Sequence, residues 1–254
     1  MIPKHLQEQS HPKTSMGFQA NSSSYLLKLV KPIVRSHYKN IISTGDLVFD
    51  VGANVGDLTQ VFSGLGANVI AIEPQRCCVE ILKKKFKAHN NVKILEMGVS
   101  DSVGSAQFYI SEQYHTTSTF SETWMSKSRY KNRFSNCRRL RRIAVNTTTL
   151  DCLISEYGVP NFCKIDVEGF EYHVLKGLSS KIPYLSFEFV SELLCEAERC
   201  MNYLDTLGTA SYNYSLFILY TLCSRTWLSS AELMKRLSKY SSFYLSGDIY
   251  ARIE

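Results

Sequence analysis

The chain has 254 residues, 44% of them hydrophobic, enough for one sizeable core and, with an α/β pattern, for a single catalytic domain. Its net charge of +6 is only moderately basic, and no apolar run reaches the length of a membrane-spanning helix; the longest, Leu216 to Cys223, is interrupted by Tyr220 and Thr221. The eight cysteines include no Cys-x-x-Cys pair and no histidine at zinc-finger spacing, which argues against structural zinc and for reduced, buried thiols in a cytoplasmic protein.

Residues 1–24 are polar, contain Pro3 and Pro12, lack the hydrophobic stretch of a signal peptide and read as a flexible N-terminus. Residues 25–45 place Leu26, Leu27, Val30, Ile33, Val34 and Tyr38 at a helical period, which predicts a cap helix kinked or split at Pro32. The domain proper, 46–254, opens with the apolar, β-branched run Leu47 to Val51, a strand buried on both faces. Gly52 and Gly56 follow where the backbone must turn tightly and approach a ligand, and Asp57 and Thr59 suit the first turn of a helix over 57–65. Asn68 to Ile72 reads as a second strand with Glu73 at its end, followed by a helix over 75–88. Lys93 to Met97 is a third strand, and Ala106 to Ile110 an added one whose antiparallel partner is Arg142 to Asn146.

Between the added strands lies a basic insertion, about 121–142, in which Lys127, Arg129, Lys131, Arg133, Arg138, Arg139, Arg141 and Arg142 occur with no acidic residue among them. It reads either as a flap that attracts an anionic acceptor or as a solvated segment that adds solubility. No RNA-binding motif accompanies it, so nucleic acid is not the expected partner. The core resumes with a helix over Leu150 to Tyr157 capped by Thr148 or Thr149, a strand over Phe162 to Asp166 and a helix over Glu168 to Leu178. A strand over Pro183 to Phe189, a helix over Ser191 to Leu207 and a strand over Leu216 to Tyr220 come next. Ser229 to Leu237 is a helix opened by a Ser229/Glu232 capping box, and Asp248 to Ile253 is the last strand. Strands alternating with helices imply a parallel sheet covered on both faces.

In such a sheet the ligand lies across the carboxyl ends of the strands. The loop Gly52-Ala53-Asn54-Val55-Gly56 has Asn54 where a dinucleotide fingerprint needs its middle glycine, so a pyrophosphate would be crowded. S-adenosylmethionine has no phosphate. Asp50 and Asn54 would hold its amino-acid end, Glu73 both ribose hydroxyls, and Val99 and Ser100 the adenine, with Gly52, Ala53, Gly56 and Pro74 shaping the loops. Asp101 either joins them or caps the Ser-Asp-Ser-Val-Gly turn. A nicotinamide-dependent oxidoreductase and a catalytically inactive binding module are the alternatives.

Five segments stand in a telling order: Phe49-Asp-Val-Gly-Ala-Asn-Val-Gly56, Ala71-Ile-Glu-Pro74, Gly98-Val-Ser-Asp-Ser-Val-Gly104, Thr148-Thr-Leu-Asp151, and Lys164-Ile-Asp-Val-Glu-Gly-Phe-Glu171 with Val174-Leu-Lys-Gly177. In these the chain resembles the FkbM family of S-adenosylmethionine-dependent methyltransferases over about Asp46 to Phe189. The resemblance implies a Rossmann-like class I methyltransferase fold: a seven-stranded, mostly parallel sheet with helices on both faces, an antiparallel last strand and an added β-hairpin. It also implies O-methylation of a sugar, glycan, lipid-linked or polyketide-like acceptor. A hydroxyl acceptor must lose its proton, and Asp166 or Glu168 is the expected base, with His173 a further catalytic candidate on the following helix. Glu188 could complete an acidic cluster with oxygen ligands for a cation, yet no spacing demands a metal and none is expected. His115 to Thr119 is a polar turn or an acceptor contact, and Trp124 and Trp227 line the acceptor pocket or simply pack.

Overall fold

The apolar run Leu47–Val51 forms the central strand, β1, of a computed structural model that describes residues 31–111, 118–121, 140–216, 220–241 and 245–254. The expected flexible N-terminus (1–24), Lys127 to Arg139 of the basic insertion, His115 to Thr117 and Trp124 lie outside the described residues. Ahead of β1, residues 31–39 are helical (α1). After it come α2 (Asp57–Gly64), β2 (Asn68–Ile72), α3 (Arg76–Lys85), β3 (Val92–Leu95), β4 (Gly98–Val99), β5 (Gly104–Ser111) and β6 (Leu140–Thr148). The chain continues through α4 (Leu150–Tyr157), β7 (Phe162–Ile165), α5 (Glu171–Lys176), β8 (Tyr184–Val190), α6 (Leu194–Leu204), β9 (Ala210–Leu216), α7 (Ser230–Leu237) and β10 (Ser246–Ile253).

Seven strands form one sheet in the order β3-β2-β1-β7-β8-β10-β9. Strands β3, β2, β1, β7 and β8 are mutually parallel, and β10 runs antiparallel between β8 and β9. From β1 the chain winds outward to β2 and β3, then returns to add β7 on the other side. That reversal opens a crevice at the carboxyl ends of β1 and β7. The β5–β6 hairpin is the expected addition, and Gly98–Val99 pairs parallel with β6 to make a second, three-stranded sheet.

The alternation of side chains in the central strands divides the core. Phe49, Val51, Cys163, Ile165, Leu185 and Phe187 face one way, packed with Leu153 of α4, Leu175 of α5, Met201 of α6 and Leu233 of α7. Val48 and Phe162 face the other way, against Val34 and Tyr38 of α1 and Phe62 of α2. Tyr38 is fully buried, with edge contacts to Phe62 and tilted contacts to Phe162. Further along this second face the rows turn polar: Asp50, Lys164, Ser186, Tyr250 and Asn213 align across five strands, as do Glu188, Asp248 and Ser215 across three.

Several expectations shift at their edges. The helix expected over 75–88 ends at Lys85 and the third strand at Leu95. The helix expected from Glu168 starts at Glu171, because Glu171 Oε1 accepts the amides of Val167 and Gly169 and holds 167–170 as a loop. The helix expected over 191–207 is a 3-10 turn followed by α6. The strand expected over Leu216 to Tyr220 is displaced: the sheet uses Ala210–Leu216, and 217–219 lie outside the described residues. The apolar-run criterion missed β9 because Asn213 and Ser215 face the buried polar rows. Asn213 Nδ2 donates to the Ser224 carbonyl and its Oδ1 accepts the amides of Tyr214 and Ser224.

Candidate active site

The loop after β1 is shaped by packing. At Gly52, φ is +85° and an added Cβ would lie 1.8 Å from the carbonyl oxygen of Asp166. The amides of Gly52 and Ala53 both donate to the Ile72 carbonyl, so the loop hangs from the end of β2. At Gly56, φ is +78° and an added Cβ would meet Leu82 of α3 at 2.4 Å. The space left by this glycine is filled by α3. Asp50, 2% exposed, accepts the Thr59 hydroxyl at 2.5 Å and so ties β1 to the first turn of α2. Burial pushes its carboxyl up to about 6, against the opposing pull of Thr59 and Lys164.

Glu73 stands at the end of β2, 3% exposed. Its Oε2 accepts the amide of Asn54, a residue with φ +48°, and its Oε1 accepts the amide of Gln75, both at 2.8 Å. Burial pushes this carboxyl up to about 7, although the two amide bonds act in the other direction. Each oxygen keeps a further lone pair for an incoming donor. Glu73, Gly52, Asn54, Pro74, Val99, Asp166 and Glu168 line one cleft, together with Gln75, Met97, Phe108, Ser118 and Phe120. The cleft is a narrow slot of about 160 Å³. Phe120 crosses it above Gly98 and packs on Phe108 and Phe170. A larger cavity of about 600 Å³ runs along α1, lined in part by His37, Tyr184, Tyr220 and Arg252, away from this chemistry.

At the carboxyl ends of β7 and β8, carboxylate oxygens of Asp166, Glu168 and Glu188 lie within 4.8 Å of one another. Lys164, 1% exposed, sends its Nζ to Asp248 at 2.8 Å and to Asp166 at 3.2 Å. Burial works to lower this amine's hold on its proton; Asp166 and Asp248 outweigh it and raise the amine well above its ordinary value. The spacing of the three carboxylates would admit a small cation, but an ammonium already stands against Asp166, and we assign the set no metal.

The structure thus gathers part of the expected set around one cleft. Asp50, Ala53 and Gly56 lie behind the loop rather than on the cleft wall. Ser100 is buried, with its amide on the Thr148 carbonyl. Asp101 and His173 are exposed and paired with each other at 3.2 Å, His173 stacked on Phe170, outside the cleft. Burial works to raise the Asp101 carboxyl, but His173 brings it below its ordinary value. Sequence reasoning gave no role to Lys164, Asp248, Glu171, Gln75 or Phe120. A signal existed for two of them: a lysine two residues before Asp166 and an aspartate in the last strand are both charges among residues that are mostly buried.

Comparison with known proteins follows from residues 50–207, which match the family model described as the methyltransferase FkbM domain. Among curated proteins, the chain is 29% identical over 152 residues to a hexuronic acid methyltransferase of Haloferax volcanii, covering 57% of this chain and 55% of that one. It is 33% identical over 85 residues to an rRNA adenine N-6-methyltransferase of Bacillus licheniformis, covering 34% of this chain and 29% of the relative. The chain spans little more than half, at most, of the length of the curated relatives it matches. Among solved structures, a precorrin-6y C5,15-methyltransferase of Geobacter metallireducens is similar with a TM-score of 0.48 at 10% identity, covering 89% of this chain and 87% of that one.

Proposed function

This chain belongs to the FkbM family of methyltransferases, and on that premise we propose that it moves the methyl group of S-adenosylmethionine onto a hydroxyl oxygen of a sugar or glycan. Glu73 carries the reading: a carboxylate at the end of β2, fixed by two backbone amides, with lone pairs directed at a cleft that also holds Asp166. Its geometry suits the paired hydroxyls of a ribose. Met97, Val99, Phe108 and Phe120 give the adjoining wall the apolar character a purine needs. Asp166 faces the cleft as a counter-charge for the cationic amino-acid end, and Asn54 stands beside it.

When bound, the cofactor supplies an electrophilic methyl group. The remaining work falls to the chain: alignment of the acceptor oxygen in line with that methyl group, and removal of the acceptor's proton. Asp166 and Glu168 stand where β7 ends, and the backbone of Glu168 is pinned by the Thr119 hydroxyl on its carbonyl at 2.6 Å. In this reading Asp50 and Gly56 act through the loop they shape, Ser100 and Asp101 support the adenine wall, and His173 orders Asp101. The uronate named for the Haloferax volcanii relative makes an anionic sugar the first acceptor to try, and the basic run Lys127 to Arg142 suits that charge. Among the described residues no helix is long and apolar enough to cross a membrane.

Calorimetric titration with S-adenosylhomocysteine, with NADH as control, tests the cofactor. Micromolar binding of the first alone is expected. Glu73→Ala should weaken it by about 1–3 kcal/mol through lost charge-assisted hydrogen bonds. Binding of NADH alone, or an unchanged affinity in the variant, would sink the assignment. Methyl transfer to a hexuronate-bearing glycan, read by mass spectrometry, then tests the acceptor class.

A further inference from the structure

The carboxylates at the ends of β7 and β8 share one ammonium unevenly. Lys164 Nζ is committed to Asp248 and Asp166. Glu188, which lies opposite Asp248 in the β8–β10 register, has no ion pair among the described residues. Its Oε2 is buried without a hydrogen-bond partner there, and a carboxylate oxygen of Glu188 lies within 4.8 Å of one from Asp166 and one from Glu168. The charged groups around it are Glu168 and Asp166 from the β7 end, Glu171 from α5, Lys164 from β7 and Asp248 from β10. Burial first, then Glu168, Asp166 and Glu171, push its carboxyl well above the ordinary range, with Lys164 only a partial counterweight. The one ammonium of the cluster is held by Asp166 and Asp248, and Glu188 has no share in it as an ion pair among the described residues.

A sulfonium donor brings the cation that this arrangement lacks. We propose that Glu188 is the proton store of the site: it releases its proton when the sulfonium cofactor enters, and takes the acceptor's hydroxyl proton as the methyl group is transferred. The inference rests on the S-adenosylmethionine reading above. In the transfer the carbon–sulfur bond breaks with its electron pair left on sulfur, and the acceptor oxygen forms the new carbon–oxygen bond. The hydroxyl's proton passes to the Glu188 carboxylate. One positive charge vanishes from sulfur and one arrives as a proton on Glu188, so the charge inside the enclosure is the same before and after. The environment that makes a bare Glu188 carboxylate costly is then relieved in both states, once by the sulfonium and once by the proton.

The measurement is proton linkage in the full-length protein, by titration calorimetry in phosphate and Tris buffers at neutral pH. S-adenosylmethionine, with its sulfonium, should release about one proton more than S-adenosylhomocysteine, which is a neutral thioether at sulfur. Glu188→Gln should remove that difference while both ligands still bind, and should depress methyl transfer. Should the variant not fold, the wild-type difference decides by itself: it should shrink as pH rises, because Glu188 is then already ionised when the donor arrives. Equal release for the two ligands, a difference that does not change with pH, or a difference that survives in a folded Glu188→Gln variant would overturn the proposal alone. Failure of both ligands to bind would overturn the cofactor reading, and this proposal with it.

Discussion

Glu73, Asp50 and Glu171 are three buried carboxyls whose surroundings favour the neutral form, at about 7, about 6 and about 7 respectively. Their ordinary values are 4.5, 3.8 and 4.5, so between those and their folded values the folded state keeps protons that the unfolded state has shed. The stability they confer is therefore complete below their ordinary values and declines as pH rises through about 6 to 7. Scanning calorimetry of the unliganded protein should show the transition temperature falling as the pH is raised from about 5 to about 7.5. A rise over that interval would contradict the burial argument. Asp101 and Glu232 lean the opposite way but are largely solvent-screened. His37, which burial lowers from 6.5 to about 4, offsets part of the fall below 6.5 without reversing the sum of the three carboxyls. Gly52 sets a second expectation: alanine there must adopt a left-handed backbone and displace the Asp166 carbonyl. Gly52→Ala should cost at least about 1–2 kcal/mol in urea denaturation, and a neutral result would mean that β1 and β7 can part freely.

The elements read most plainly where local chemistry and tertiary packing agree. Ser229 and Glu232 announce α7 in the sequence, and the structure forms the full reciprocal box, with Ser229 Oγ accepting the Glu232 amide and Glu232 Oε2 accepting the Ser229 amide at 2.9 Å. Ser229→Ala should lower stability by about 0.5–2 kcal/mol, seen as a shift in the denaturant midpoint with unchanged slope. Strands β1, β2, β7 and β8 were legible because burial on both faces forces apolar runs. Strand β9 was not, since its buried Asn213 and Ser215 look like loop residues until the loop they bind is in place. The start of α5 was hidden for a related reason: Glu171 spends its carboxylate on the loop before the helix, a tertiary contact that no propensity records.

Across the whole molecule, the sequence displayed the parts of the site but not their company. Asp50, Asn54, Glu73 and Asp166 could be named from strand ends and glycines. That Lys164 would find Asp248, 84 residues away, depends on β10 lying beside β8, and strand order is not written in any local pattern. The same limit explains why Asp101 and His173 were placed with the cofactor and the base, whereas in the structure they hold one another. The Lys164–Asp248 pair joins β7 to β10 across β8. Lys164→Met should therefore destabilise the fold by about 3–5 kcal/mol in chemical denaturation by leaving a buried carboxylate unpaired, and Lys164→Met combined with Asp248→Leu should recover much of that loss. A double variant no more stable than the single would show that the pair contributes nothing as a pair.

The place of β10 also bears on how the chain leaves the ribosome. Because β10 lies between β8 and β9, β8 lacks its second neighbour and β9 its neighbour in the sheet until residues 246–253 have been made. Until then β8 and β9 each present a free hydrogen-bonding edge, and the ammonium of Lys164 waits for Asp248. Most of the sheet can assemble as it is synthesised, in the order β1, β2, β3, β7, β8. Its last joint is closed from within by a strand inserted late, and a nascent chain stalled before residue 246 would offer two sticky edges to its neighbours.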